Sequence, residues 1–308
     1  MSACAASLWA AAFSNTATFT AALLEVRRST ITNVERFAMF FNANTNDGGV
    51  HRLVDNIIRT TFTTQITSGY APVQAAIGYY YSCYFYPGSV LEMSGNDVFV
   101  GTLYSYGLYV RINGGRIVHD GRNSYRNGSV VVSHLTHTNN NLFVVNNSKD
   151  LQTIGWYTNG VAGLQTINDT VGIYNLDAVT VDMAIQNNTD LTVDCANAAV
   201  SYFTLAGGDV VKRASVRYAN VTGVSLTLSL STTASGVGIS VLDSSLTGLM
   251  SITMGALTSS TITVNRTSMG QFSLAGAFQS GSSMLIDQSY IQNTGSATAA
   301  FTSTASFT

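Results

Sequence analysis

The chain has 308 residues, of which 46% are hydrophobic, only 10% are charged and only 2 are proline. That is ample apolar material for a core, with a surface whose polarity must come from Ser, Thr and Asn. With 14 basic and 16 acidic residues the formal net charge is -2, and apart from Arg27-Arg28 and Lys212-Arg213 the cations are scattered. This excludes a nucleic-acid binder working through a basic face, and no apolar run approaches the ~18 residues that a membrane-spanning helix requires.

Residues 1–20 are small and apolar, beginning Met1-Ser2-Ala3-Cys4-Ala5-Ala6-Ser7-Leu8-Trp9, without the basic residues that open a secretory signal. They read as a first strand or an N-terminal cap. From residue 21 onward a six-residue pattern recurs: an apolar residue, two variable positions, a small residue, one variable position, and a small or apolar residue. Val26-Arg27-Arg28-Ser29-Thr30-Ile31 fits it, with Asn33 in the turn column, as do Leu53-Val54-Asp55-Asn56-Ile57-Ile58, Met93-Ser94-Gly95-Asn96-Asp97-Val98 and Ile112-Asn113-Gly114-Gly115-Arg116-Ile117.

Between the second and third copies, Tyr79-Tyr80-Tyr81-Ser82-Cys83-Tyr84-Phe85-Tyr86 places six rings in eight residues, and Tyr104, Tyr106 and Tyr109 follow. Strand alternation would send Tyr79, Tyr81, Cys83 and Phe85 to one face, with Tyr80, Tyr84 and Tyr86 out of phase. One set then packs a core or stacks between coils while the other is exposed. An exposed tyrosine offers contact area at low entropic cost with a polar tip, which suits sugar and protein surfaces. Tyr80, Tyr84 and Tyr86 are therefore candidate binding residues, together with Asn139, Asn140 and Asn141 of an Asn-rich loop.

Further along, His119-Asp120 beside Gly121 reads as a turn. His134 and His137 have a spacing that chelates a metal on a helix, whereas a strand or turn points them apart. Val145-Asn146-Asn147-Ser148 keeps the first half of the pattern, and Ile173-Tyr174-Asn175-Leu176-Asp177-Ala178 matches it loosely.

The last third is regular. Copies begin at Val193, Val216, Val241, Val264 and Ile286, with steps of 23, 25, 23 and 22. Seven residues after the leading position stand Gly223, Gly248 and Asn293, with Gly270 one place early, read here as left-handed turn residues that end each strand. A second strand follows, clearest in Val224-Ser225-Leu226-Thr227-Leu228-Ser229-Leu230, and Gly/Ser-rich loops such as Ala234-Ser235-Gly236 and Ser280-Gly281-Ser282-Ser283 lead to the next coil. A unit of this size cannot bury its apolar face alone and must stack on its neighbours. The fold class is thus all-β, a single-stranded parallel β-helix (β-solenoid) with about 23 residues per coil. Coils are irregular to about residue 192 and regular over 193–293, with no linker dividing 21–308 into domains. An antiparallel sandwich would also supply short strands, but not a pattern in register at this spacing.

The column after the leading residue reads Asp194, Arg217, Leu242, Asn265, Asp287. Its two acids lie four coils apart at roughly 4.8 Å per coil, too far to serve as a general acid and base across one bond. Asp182, Asp190 and Asp194 form the closest acidic group and read as a solvated loop face. No Ser-His-Asp order, P-loop, dinucleotide fingerprint or calcium-binding nonapeptide is present, so no catalytic residue, cofactor or metal ligand is assigned. Cys4, Cys83 and Cys195 are too few for a disulfide framework, and Cys195 reads as a small core residue. Sequons start at Asn127, Asn146, Asn168, Asn187, Asn220 and Asn265, the number that composition alone supplies.

The coil pattern, with segments such as Gly281-Ser282-Ser283-Met284-Leu285-Ile286-Asp287-Gln288-Ser289-Tyr290-Ile291-Gln292-Asn293, resembles the pectate-lyase-like right-handed parallel β-helix superfamily. Its Ser/Thr/Asn-rich, acid-poor style is similar to the large repetitive membrane-associated surface proteins of kinetoplastid protists, the dispersed gene family type. Viral tailspikes and fibres, which trimerise, are the second resemblance. Ice-binding solenoids are the weakest, because Thr261-Ile262-Thr263 and Leu226-Thr227-Leu228 occur once each and out of register. What these resemblances imply is a non-enzymatic, surface-exposed protein, extracellular or on a cell or virion, that recognises a glycan or protein. The alternatives are a tailspike that binds or cleaves a host polysaccharide and a purely structural spacer. Residues Ala299 to Thr308 hold no Pro, charge or amphipathic helix to cover an open strand edge, so a capping partner, a longer parent chain or a homotrimer is expected.

Overall fold

The computed structural model describes residues 11–15, 17–34, 37–41, 45–46, 48–61, 75–79, 84–101, 106–112, 114–119, 122–126, 128–135, 140–159, 168–185, 190–207, 213–230, 234–292 and 300–308. Among the described residues every regular element is a strand, and no helix is long and apolar enough to cross a membrane. The strands pair in parallel with about 23 residues between stacked partners over the regular part, so the chain is a parallel β-solenoid. It divides into two compact units, residues 1–135 with 140–155 and residues 136–139 with 156–308.

In the second unit one inward column sets the register. Ile173 pairs with Cys195, Cys195 with Tyr218, Tyr218 with Val241, Val241 with Val264 and Val264 with Ile286. The last three are the positions the spacing predicts, but the first two regular coils are led by Cys195 and Tyr218 rather than Val193 and Val216. A two-residue slip keeps the same side chains facing inward because the strand period is 2, so the inward Val193 and Val216 mimic the leading position. Val216 in fact pairs with Ile239, not with Val241. The outward column is consequently Asp194, Arg217, Ser240, Thr263, Leu285, in place of the one read from spacing.

The turn residues also differ from expectation. Two residues after the inward column, Asn175, Asn197, Asn220, Asp243, Arg266 and Gln288 all have φ between 47° and 54°. Gly223 ends a long strand and Gly248 and Gly270 lie inside long strands, none of them with a left-handed backbone. Gly223 is required by proximity: a Cβ there would sit 2.2 Å from the Val200 carbonyl oxygen of the preceding coil. Asn293 lies outside the described residues. A second left-handed turn recurs at Gly236, Ser259 and Gly281.

The first unit follows the same scheme with longer insertions. Val26, Leu53 and Met93 stack in register as the spacing predicts, but the next member is His119, not Ile112, which bridges to Phe85. A buried histidine in an apolar column hides that coil from a hydrophobic pattern. On the adjoining sheet Ile58, Val98 and Tyr125 stack inward and are fully buried. Each large side chain removed from water in this way contributes ~1.5–3 kcal/mol.

At the corner between these sheets runs a ladder of buried asparagines. Asn56, Asn96 and Asn123 follow left-handed residues Asp55, Gly95 and Arg122. The Ser29 backbone N–H donates to Asn56 Oδ1, that of Asn56 to Asn96 Oδ1, and that of Asn96 to Asn123 Oδ1, each at 3.1 Å. The amide nitrogens donate back to the carbonyls of Val26, Leu53 and Met93 at 2.8–2.9 Å. In the second unit serine and threonine take the place of asparagine: Val221 N–H donates to Ser244 Oγ and Thr267 N–H to Ser289 Oγ, both at 3.2 Å. These ladders satisfy buried backbone donors that the turn removes from the sheets.

Asn96→Ala leaves donors and acceptors of three coils unpaired, and its stability loss in urea unfolding is expected on the order of 3 kcal/mol, whereas a loss below about 0.5 kcal/mol would mean the ladder is incidental. Burial lowers the pKa of His51 to about 4 and that of His119 to about 3. The unfolded chain therefore binds more protons than the native one below pH ~6.5, and stability falls as pH drops from there toward the folded values. The urea midpoint is expected to decline between about pH 6.5 and pH 5, and His51→Gln with His119→Gln to flatten that decline.

Candidate functional site

The aromatic run sorts as alternation predicts where it is described. Tyr79 and Phe85 are fully buried. Tyr79 stacks on Phe41 with centroids 4.4 Å apart and meets Phe85 edge-on at 5.2 Å, while His51 lies against both and shares a 3.3 Å hydrogen bond between Nδ1 and the Tyr79 hydroxyl. Tyr84 and Tyr86 flank Phe85, are half-exposed, and hold their rings 6.0 Å apart at 60°. Tyr80, Tyr81 and Cys83 lie outside the described residues.

The segment is pinned at both sides. The Ser89 N–H donates to the Tyr86 carbonyl at 2.9 Å, closing Tyr86-Pro87-Gly88-Ser89 as a tight turn. Proline at its second position and Gly88 with φ of 82° at its third are what a type II turn demands. The Gly115 N–H donates to the Phe85 carbonyl at 3.1 Å, tying the tyrosine pair to the coil that carries Arg116.

Arg116 belongs to a parallel face on which Leu23–Arg27, Val50–Val54, Val90–Ser94 and Arg116–His119 stack in turn and Asn140–Asn146 continues beyond Arg116. Its outward rows are Leu23, Val50, Val90, Arg116, Leu142 and Glu25, Arg52, Glu92, Val118, Val144. A depression of about 330 Å³ opens here, lined by Arg52, Val54, Val90, Glu92, Met93, Ser94, Arg116 and Val118. Arg52 Nε donates to Glu92 Oε2 at 2.8 Å, and Glu25 adds to the negative field around it. Arg116 is exposed and makes no ion pair or side-chain hydrogen bond among the described residues. On the adjoining sheet Asp97 is clamped by Arg59 and by Arg126, the latter at 3.0 Å. Burial pushes the Asp97 carboxyl up, but the bonds from Arg59 and Arg126 outweigh it and hold the group below its ordinary range.

The Asn-rich loop resolves differently from a contact surface. Asn139 lies outside the described residues and Asn140 opens the strand Asn140–Asn146. Asn141 is 4% exposed, and its Oδ1 accepts the Gly114 N–H at 2.6 Å, so its amide serves the fold.

The three aspartates do not converge. Asp190 and Asp194 lie four residues apart on one extended strand, hence ~13 Å apart along it, beyond the ~5–9.5 Å that separates paired glycosidase carboxylates. Asp182 sits beside Thr204, further along that strand. Each acid is separately engaged: Asp182 by the Tyr157 hydroxyl at 2.9 Å, Asp190 by Arg213 at 2.7 Å, and Asp194 by Arg217 at 2.9 Å and the Tyr174 hydroxyl at 3.1 Å. His134 falls in the strand Ser129–Leu135, and His137 lies outside the described residues. Among the described residues no group of three His, Cys, Asp or Glu side chains could hold a metal ion.

The second unit carries a surface that sequence spacing concealed. Thr204, Thr227, Ser251, Ser273 and Thr302 stack in register, flanked two residues on by Ala206, Ser229, Thr253 and Ala275. The result is an uncharged array of hydroxyls and methyls. Bulges between Leu246 and Leu249 and between Thr253 and Ala256 shift its spacing, which is why the sequence shows no regular Thr array. Thr261 and Thr263 belong to a different ladder, consistent with their being out of register with Thr227.

No family model, curated protein or solved structure matches this chain. The local chemistry nonetheless makes a direct prediction for Cys195, whose thiol is pushed up to about 12 first by burial and then by the Asp194 charge. Thiolate is the reactive form, so Cys195 is expected to resist iodoacetamide at about pH 8 in the native protein and to label fully in denaturant, read by mass spectrometry. Rapid native labelling would show that this coil opens.

Proposed function

We propose that this chain is a non-enzymatic recognition protein, a pectate-lyase-like β-helix displayed outside a cell or on a virion, that binds a glycan. The observation that carries the reading is the pair of half-exposed tyrosines, 6.0 Å apart, held on a fully buried aromatic base of Tyr79, Phe85, Phe41 and His51. Two tilted ring faces at that separation suit the apolar faces of adjacent sugars, and their hydroxyls suit the equatorial oxygens. The buried base fixes the segment before any ligand arrives, so little conformational entropy remains to be lost on binding.

Binding without turnover is favoured by the dispersal of Asp182, Asp190 and Asp194, of which Asp190 and Asp194 are each paired with an arginine and Asp182 accepts the Tyr157 hydroxyl. The hydroxyl columns of the second unit are, by themselves, a polar, uncharged surface of the kind that adhesion uses. The Ser/Thr/Asn-rich, acid-poor composition supports likeness to kinetoplastid surface proteins of the dispersed gene family type, ahead of a viral tailspike that cleaves a host polysaccharide. A pure spacer would have no use for a pinned tyrosine pair.

Screening the purified protein on a glycan array, with the bound glycans also assayed for shortening, tests the reading. Tyr84→Ala and Tyr86→Ala are each expected to weaken the retained glycan at least ~10-fold while leaving the thermal midpoint unchanged. Undiminished binding by the double variant would remove the tyrosine pair from the site. Shortened products would overturn the non-enzymatic assignment and direct mutagenesis to the three aspartates.

A further inference from the structure

Resting on the glycan-binding reading, we infer that the sugar bound is acidic, and that Arg116 takes its carboxylate while the ring packs against Tyr84 and Tyr86.

Three observations in the first unit meet at this point. The 3.1 Å bond from the Gly115 N–H to the Phe85 carbonyl places Arg116 one residue from the contact that fixes the tyrosine pair. A depression of about 330 Å³ lies along the same face, with Val54, Val90 and Val118 as apolar lining and Arg52, Glu92 and Arg116 as its charged groups. The cations there are not equivalent. Arg52 is held by Glu92 at 2.8 Å with Glu25 beside it, so its charge is already answered. Arg116 is exposed and has no acidic partner among the described residues.

An unclaimed guanidinium presents a planar fork of donors that matches a carboxylate bidentately. Carried one residue from the bond that fixes the tyrosine pair, and bordering a depression with valines in its lining, it selects a ligand that is flat and apolar on one side and anionic at one edge. A uronic-acid sugar has that form: a ring face for the tyrosines and a carboxylate projecting from the ring's rim. Glu92 remains in the groove, but its charge is directed to Arg52, and it repels any second anion placed deeper along the face. A neutral sugar leaves Arg116 without a partner, and an acidic peptide leaves the tyrosine faces without a flat apolar surface to cover.

The test uses the full chain and a panel of oligosaccharides, each supplied as the uronic acid, as its carboxyl-reduced neutral counterpart and as a sulfated form, with an acidic tetrapeptide alongside, all by titration calorimetry. At least one uronic acid is expected to bind ~10-fold or more tightly than its reduced counterpart. Arg116→Gln should abolish that preference and Arg116→Lys should retain part of it, with unchanged circular dichroism in both. Equal binding of acidic and neutral forms, a preference that survives Arg116→Gln, or selection of the sulfated over the carboxylated forms would overturn the inference and leave glycan recognition standing. Binding of the peptide alone, or of none of the probes, would overturn both.

Discussion

A parallel coil must change direction without leaving backbone donors stranded between layers, and the molecule's organisation follows from how it meets that demand. Many turns combine a residue in the left-handed region with a following side chain that bonds across coils, as in Asp55-Asn56, Gly95-Asn96, Asp243-Ser244, Arg266-Thr267 and Gln288-Ser289, whereas Asn175, Asn197 and Asn220 are followed by the apolar Leu176, Ala198 and Val221. For arginine or glutamine the left-handed conformation costs ~1–2 kcal/mol. It persists because the carbonyls and N–H groups of the coils on either side fix the geometry. The stack also propagates register, since the residue two places before each turn must point inward and meet its counterpart one coil away.

That constraint explains the composition. Where buried polar ladders and inward apolar columns do the structural work, charges are left to pairs between adjacent coils, such as Asp190 with Arg213, Asp194 with Arg217 and Asp243 with Arg266, and to the Asp97 cluster with Arg59 and Arg126. Exposed pairs of this kind contribute little to stability, but they align neighbouring strands and keep the faces polar. The Ser/Thr/Asn richness therefore divides between corners, where amides and hydroxyls are buried acceptors, and faces, where the same side chains form the outer surface.

The tyrosine pair of the proposed site arises where the regular scheme is interrupted. Phe85 is fully buried while Tyr84 and Tyr86 are not, and the insertion that carries them returns beside Gly115, so an irregular segment is fastened to a regular face. Arg52 and Arg116 come together only because Val50, Val90 and Arg116 stack across sequence gaps of 40 and 26 residues. Within the first unit, stacked strands thus set the rows of side chains, and an insertion places further side chains beside them.

Alternation and repeat length were enough to specify an all-β parallel solenoid, to separate Tyr79 and Phe85 from Tyr84 and Tyr86, and to align Val26, Leu53 and Met93, because inward burial at period 2 leaves its mark on residue type. They did not reveal that Cys195, Tyr218 and His119 lead their coils, since a two-residue slip preserves the facing pattern and a buried histidine mimics a polar position. Nor did they identify Arg28, Arg266 and Gln288 as turn residues: nothing in those side chains favours a positive φ, which is imposed by the hydrogen bonds of the stack. The inward placement of Asn141, the separate partners of the three aspartates and the groove at Arg116 depend on which residues of distant coils share a row. Local sequence sets which way a side chain faces, but only stacking decides what it faces.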